Sequence, residues 1–114
     1  MKVKYGDIIQ INGKIRCLFI GKQGNEIKIF NIIKKKYEVL ELDLVRSAEK
    51  IEINRNEIWV LYESIPGEKF SVLTMLLDDY IKMYGKQKRI NSVFRAKNKV
   101  SACDYKIHYL KKTI

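Results

Sequence analysis

A chain of 114 residues, 46% apolar and 11% aromatic, holds enough material for one modest core, which argues against wholesale disorder. Its net charge of +10 suits a polyanionic partner, while its apolar runs are far too short to span a membrane. Two distant cysteines without a CxxC and a single histidine argue against a zinc site or a structural disulfide, so no cofactor and a reducing, cytoplasmic setting are expected. The opening MKVKYGD meets an acid at Asp7 before any long apolar stretch and does not read as a signal peptide. Residues 7–11 (DIIQI) then form a first expected strand, ended by Asn12-Gly13, a pair that tolerates positive φ and favours a two-residue hairpin. Residues 15–20 (IRCLFI) return to Gly21, with Arg16 expected toward solvent and Cys17 inward. After a turn at Gly24-Asn25, residues 26–33 (EIKIFNII) form a third strand, Lys34–Lys36 turns the chain, and 37–42 (YEVLEL) alternate as a fourth. A shorter alternation at 50–53 (KIEI) completes a five-strand set.

The second half changes period. Leu73, Leu76, Leu77, Tyr80, Ile81 and Tyr84 fall on one helical stripe, which predicts an amphipathic helix over 68–84, entered at Pro66-Gly67 and ended by Gly85. Leu73, Leu77, Tyr80 and Ile81 are expected to be buried. Residues 56–64 (NEIWVLYES) fit a strand or a short helix. A helix using Ile90, Val93, Phe94 and Lys97 is expected over 88–100, and the alternation of DYKIHYL predicts a last strand at 104–110. The expected fold class is α+β: a small five-stranded antiparallel barrel, an amphipathic helix and a basic C-terminal segment. The chain reads as a single domain, 1–114, with barrel portion 1–54, helical and basic portion 55–114, and its one soft boundary near 54–57.

The stretch YGDI followed by RCLFIG, over residues 4–21, resembles the first two strands of the MazF/PemK-type toxin ribonucleases. That resemblance implies a barrel of the Src-homology-3 type, and it would place Arg16 beside a scissile phosphate. The family's longer loop shrinks here to Asn12–Ile15, Cys17 stands where a proline usually follows the arginine, and Asn31 falls near the family's Ser or Thr. Such an enzyme needs a proton carrier and a cation over the phosphorane, but no metal. His108 is the only histidine and so the one candidate proton shuttle, and its place on a polar face suits a surface histidine better than a catalyst. Asp78 and Asp79 diverge by about 100° on a helix and read as a solvated face. Arg16 therefore reads as a binding or solvated arginine, and no catalytic residue is assigned.

Charge is uneven along the chain. Residues 82–112 carry ten Lys and Arg against the one acid Asp104, nearly the whole net charge of the protein. Arg16, Lys86, Lys88, Arg89, Arg95, Lys97, Lys99 and Lys106 are the candidate nucleic-acid contacts. Tyr84, Phe94, Tyr105 and Tyr109 interleave with them as candidate stacking rings, although Tyr105 and Tyr109 suit a core better. The expected function is a small, non-enzymatic, basic nucleic-acid-binding protein, of a composition similar to many phage and mobile-element proteins. Two alternatives stand beside it: an inhibitor of a host defence nuclease, whose partner is a protein, and a toxin endoribonuclease. DNA or RNA preference and oligomeric state are left open by the sequence.

Overall fold

The computed structural model describes residues 2–113 and divides the chain into two compact units that meet between Ile53 and Asn54, within one residue of the expected soft boundary. The fold is α+β, with two antiparallel sheets and two α-helices.

The first unit is a five-stranded sheet of β1 (Ile8–Ile11), β2 (Ile15–Gln23), β3 (Glu26–Asn31), β4 (Lys36–Glu41) and β5 (Ala48–Lys50). Asn12 and Gly13 take φ of 54° and 67°, the double left-handed turn that matches strand twist, so β1 and β2 pair with Gln10 opposite Arg16 and Ile9 opposite Cys17. Asn31 builds the β3–β4 turn: its Oδ1 accepts the N–H groups of Ile33 (3.0 Å) and Lys34 (2.9 Å), and its Nδ2 donates to Glu38 Oε1 (2.6 Å). Ile9, Ile11, Cys17, Phe19, Ile27 and Ile29 form the core, with Leu40, Leu42, Val45 and Ala48 packed on it. Of the alternating β4 residues, Leu40 thus faces the core and Val39 is exposed.

Four of the five expected strands are present where expected and the fifth is displaced, and together they do not close a barrel. The spatial order is β4-β3-β2-β1-β5, so β4 and β5 are the two edges of an open sheet. Asn12 supplies the reason. Its backbone N–H donates to Ser47 O (2.9 Å), its Nδ2 to Leu44 O (2.9 Å), and its Oδ1 accepts from Arg46 N (2.7 Å) and Ser47 N (3.2 Å). These bonds pin the 42–47 connection beside the β1–β2 turn. The chain is delivered to β1, where Ala48 pairs with Ile11 and Lys50 with Ile9, rather than back along β4. The fifth strand therefore lies at 48–50, upstream of the expected 50–53.

The second unit is a three-stranded sheet, β6 (Ile58–Glu63), β7 (Val72–Leu76) and β8 (Ile90–Arg95), in the order β7-β6-β8, with α1 (Leu77–Tyr84) and α2 (Lys99–Thr113). Ile58 to Tyr62 are all buried, so β6 is covered on both faces and its backbone groups need a strand on each edge. Three expectations are corrected, the first two by that demand. The helical stripe holds only over 77–84; residues 72–76 are a strand, with Thr74 Oγ1 donating to Val60 O (2.9 Å), and Leu73 is exposed while Leu77 and Tyr80 are buried and Ile81 half-buried. Residues 90–95 are a strand, not a helix, pairing Val93 with Val60 and Phe94 with Trp59. Residues 104–110 lie within a helix, not a strand.

Helix α1 ends where expected, at Gly85, whose φ of 56° suits glycine and whose N–H donates to Ile81 O (2.9 Å). Asp78, in its first turn, accepts from the Arg55 guanidinium (Nη2, 2.6 Å). Helix α2 starts at Asn98, whose Oδ1 accepts the N–H of Ser101 (2.9 Å) as an N-cap. Ala102, Tyr105, Tyr109 and Leu110 then recur at helical spacing and pack on Trp59, Leu61 and Phe94. Tyr105 stacks on Phe94 with ring centroids 3.9 Å apart and planes 7° from parallel. Tyr62, Tyr80 and Tyr84 form a separate three-ring cluster, with centroids 5.3 to 5.7 Å apart.

Candidate functional site

The eight candidate contacts are divided between the two units. Arg16 lies in the first unit; it is exposed on β2 while Cys17 beside it is fully buried, the orientation expected from the pleat. Ile32 N–H donates to the Arg16 carbonyl (3.1 Å), so its backbone serves the sheet and its side chain is left outside. The other seven belong to the second unit, where strand direction separates them. Lys86, Lys88 and Arg89 sit in the turn that leads into β8, whereas Arg95, Lys97 and Lys99 sit where β8 ends and α2 begins. From Arg89 to Arg95 the chain runs six steps of extended backbone, about 20 Å. Lys106 is half-buried on α2.

Lys88 and Arg95 make contacts inside the fold. Lys88 Nζ donates to Ser64 O (2.8 Å) and stands 5.3 Å from the centroid of the Tyr84 ring. Arg95 donates through Nε (3.0 Å) and Nη2 (2.7 Å) to Glu57 Oε2, an exposed fork whose value is lowered by solvent screening. Lys86, Arg89, Lys97 and Lys99 are exposed, as are Lys111 and Lys112 on the last turn of α2. Over residues 54–114 the chain carries twelve Lys and Arg and six Asp and Glu, so the second unit keeps a clear positive excess after its internal pairs are counted.

The rings singled out by sequence are not presented to solvent as platforms. Phe94 is stacked against Tyr105, Tyr109 packs in the same core, and Tyr84 belongs to the tyrosine cluster. The aromatic that the sequence reading did not single out is Phe70, in the 3-10 turn Lys69–Ser71 before β7. It is 86% exposed, and among the described residues it is the one aromatic in the exposed class.

A cleft of about 470 Å³ lies in the first unit, lined by Asn12, Lys14, Asp43, Leu44, Arg46 and Ser47. The Asn12 amide that helps line it is already occupied by backbone partners. Among the described residues no three His, Cys, Asp or Glu side chains converge as metal ligands would. His108 is exposed on α2, in the unit that does not contain Arg16. Asn31, at the position where the resemblance expects a hydroxyl, has its amide engaged in the β3–β4 turn.

Cys17 is chemically quiet. Burial, helped by the Glu38 carboxylate, pushes its thiol from 9.0 up to about 12. The folded state therefore holds this proton where the unfolded chain has lost it. The Cys17 contribution is fully present below pH 9 and erodes as pH climbs toward 12, by about 1.4 kcal/mol per pH unit over that window. Tyr62 acts in the same direction, raised to about 12 by burial and then by its Tyr84 neighbour. In the native protein at pH 8, a thiol reagent should label half-buried Cys103 and spare Cys17 until denaturant is added. Rapid labelling of both thiols in the native state would contradict this.

No protein-family model matches the chain, and no curated protein or solved structure does.

Proposed function

We propose that the protein is a small, non-enzymatic nucleic-acid-binding module whose second unit carries the contacts. The observation behind this reading is the exposed set Lys86, Arg89, Lys97, Lys99, Lys111 and Lys112, spread over both ends of β8 and the end of α2. Lysines and arginines at an exposed surface can displace counterions from a phosphate backbone. The commitment of Asn31 to a turn and the outward Arg16, paired in register with Gln10, support binding over cleavage.

Fluorescence anisotropy with a labelled single strand tests the reading. Log K should fall linearly with log salt, by about 0.7 per phosphate contact, and three to six contacts give a slope of about −2 to −4. Binding that is absent at low salt, or unchanged into high salt, would refute it and leave a protein interface as the use of the basic surface. RNA cleavage in EDTA that is abolished by Arg16→Ala would instead favour a ribonuclease.

A further inference from the structure

Strands β6, β7 and β8 are antiparallel, and Glu63 pairs with Val72 while Tyr62 pairs with Ile90. The end of β6 and the beginnings of β7 and β8 therefore share one edge of the second unit. Two connections emerge there side by side: the 64–71 loop that carries Phe70, and the 85–89 turn that carries Lys86, Lys88 and Arg89. Lys88 joins them directly through its 2.8 Å bond to the Ser64 carbonyl.

The 64–71 loop is held together by its own polar groups. Ser64 donates from its backbone N–H (2.9 Å) and from Oγ (2.9 Å) to Ser71 O. Ser71 Oγ accepts from Ile65 N (3.2 Å) and lies within donating distance of the carbonyls of Glu68 (2.7 Å) and Ile65 (3.0 Å), one of which takes its single proton. Gly67 N–H donates to Glu63 Oε2 (3.1 Å). The loop thus presents an apolar ring on a preformed support, flanked by Ile65 at 51% and Leu73 at 40% exposure. A platform fixed before binding loses little entropy when a flat group stacks on it.

We infer that Phe70 is a base-stacking platform and that the adjoining 85–89 turn holds the backbone of the same single strand, an inference that rests on the nucleic-acid reading above. Every base has a π-face, so an exposed ring beside cations binds single strands without demanding a sequence. A duplex hides those faces, and the site therefore favours single strands over duplexes. Glu63 and Glu68 are the local acids, against Lys86, Lys88 and Arg89 of the turn, so this edge keeps a net positive charge.

The test compares the full chain with Phe70→Ala and Phe70→Trp against four probes: oligothymidylate, a blunt duplex of equal length, inorganic polyphosphate and phosphatidylserine vesicles. Phe70→Ala should weaken oligothymidylate binding by about fivefold or more, within the range measured for loss of one stacked base, and leave polyphosphate binding unchanged. Phe70→Trp should keep the affinity, with tryptophan emission quenched on adding the oligonucleotide. An unchanged thermal midpoint for both variants shows that the fold is intact, as befits a side chain this exposed. If the nucleic acids and polyphosphate bind but Phe70→Ala has no effect on oligothymidylate, this inference falls and the parent reading stands. If none of the three polyanions binds, both fall. If Phe70→Ala weakens vesicle binding alone, the ring serves a bilayer surface and the inference is overturned.

Discussion

Replacing Phe94 with alanine should lower the stability of the second unit by about 3–5 kcal/mol, the range for removing a large buried aromatic. The ring is nearly buried between Trp59, Ala102 and Tyr105, so truncation leaves a cavity in the middle of the contact between α2 and the sheet. It also removes the stacked partner of Tyr105, a pair that contributes about 0.5–1.5 kcal/mol beyond area burial. Little else can compensate on this face. Trp59 Nε1 donates to Ala96 O (3.1 Å) and so is fixed in place, and the Tyr105 hydroxyl lies within hydrogen-bond distance of Ser92 Oγ (3.2 Å). Urea denaturation followed by far-UV circular dichroism would report the loss as a lower midpoint. A change below about 1 kcal/mol would mean that α2 does not rest on this ring.

The stacked pair also shows where sequence reading ran short. Phe94 was expected on a helix and Tyr105 on a strand, and the structure has the reverse. DYKIHYL alternates with period two, but Ala102, Tyr105 and Tyr109 also satisfy helical spacing, and a short apolar pattern does not choose between them. The deciding local signal was Asn98 ahead of Lys99–Ala102, which caps the helix. For residues 90–95 there was no such local signal, because the demand for a strand comes from β6, far away in sequence. The helical stripe of 73–84 failed at its beginning for the same reason: Thr74 and Val72 were recruited as an edge partner of β6. The first unit was more legible because its turns are written locally. Asn12-Gly13 and the Asn31 turn set strand boundaries by residue chemistry alone, whereas the missing closure of the barrel depends on Asn12 reaching Leu44–Ser47. At the candidate site, charge was readable as a block in the chain, but its division between two ends of β8 was not. Phe70 was passed over because exposure is a property of the folded loop.

That division makes the last prediction decisive for the binding surface. Lys86→Glu with Arg89→Glu alters one end of β8, and Lys97→Glu with Lys99→Glu alters the other. All four positions are exposed, and unchanged circular dichroism is the check that each pair keeps the fold. The clusters stand about 20 Å apart by strand rise, beyond the distance at which substitutions usually couple, so their effects on log K should add. If one strand runs over both, each pair should reduce the salt slope by about 1.4, two contacts at 0.7 each, and all four together should weaken binding by roughly a hundredfold at low salt. Reversing Lys34 and Lys36 in the first unit alters the same amount of charge at exposed positions and should matter less, since it changes net charge without touching the proposed path. An equal loss from that control would show that only the overall field counts. A loss confined to the Lys86–Arg89 pair would restrict the footprint to the edge that carries Phe70, where ring and cations act on the same few nucleotides.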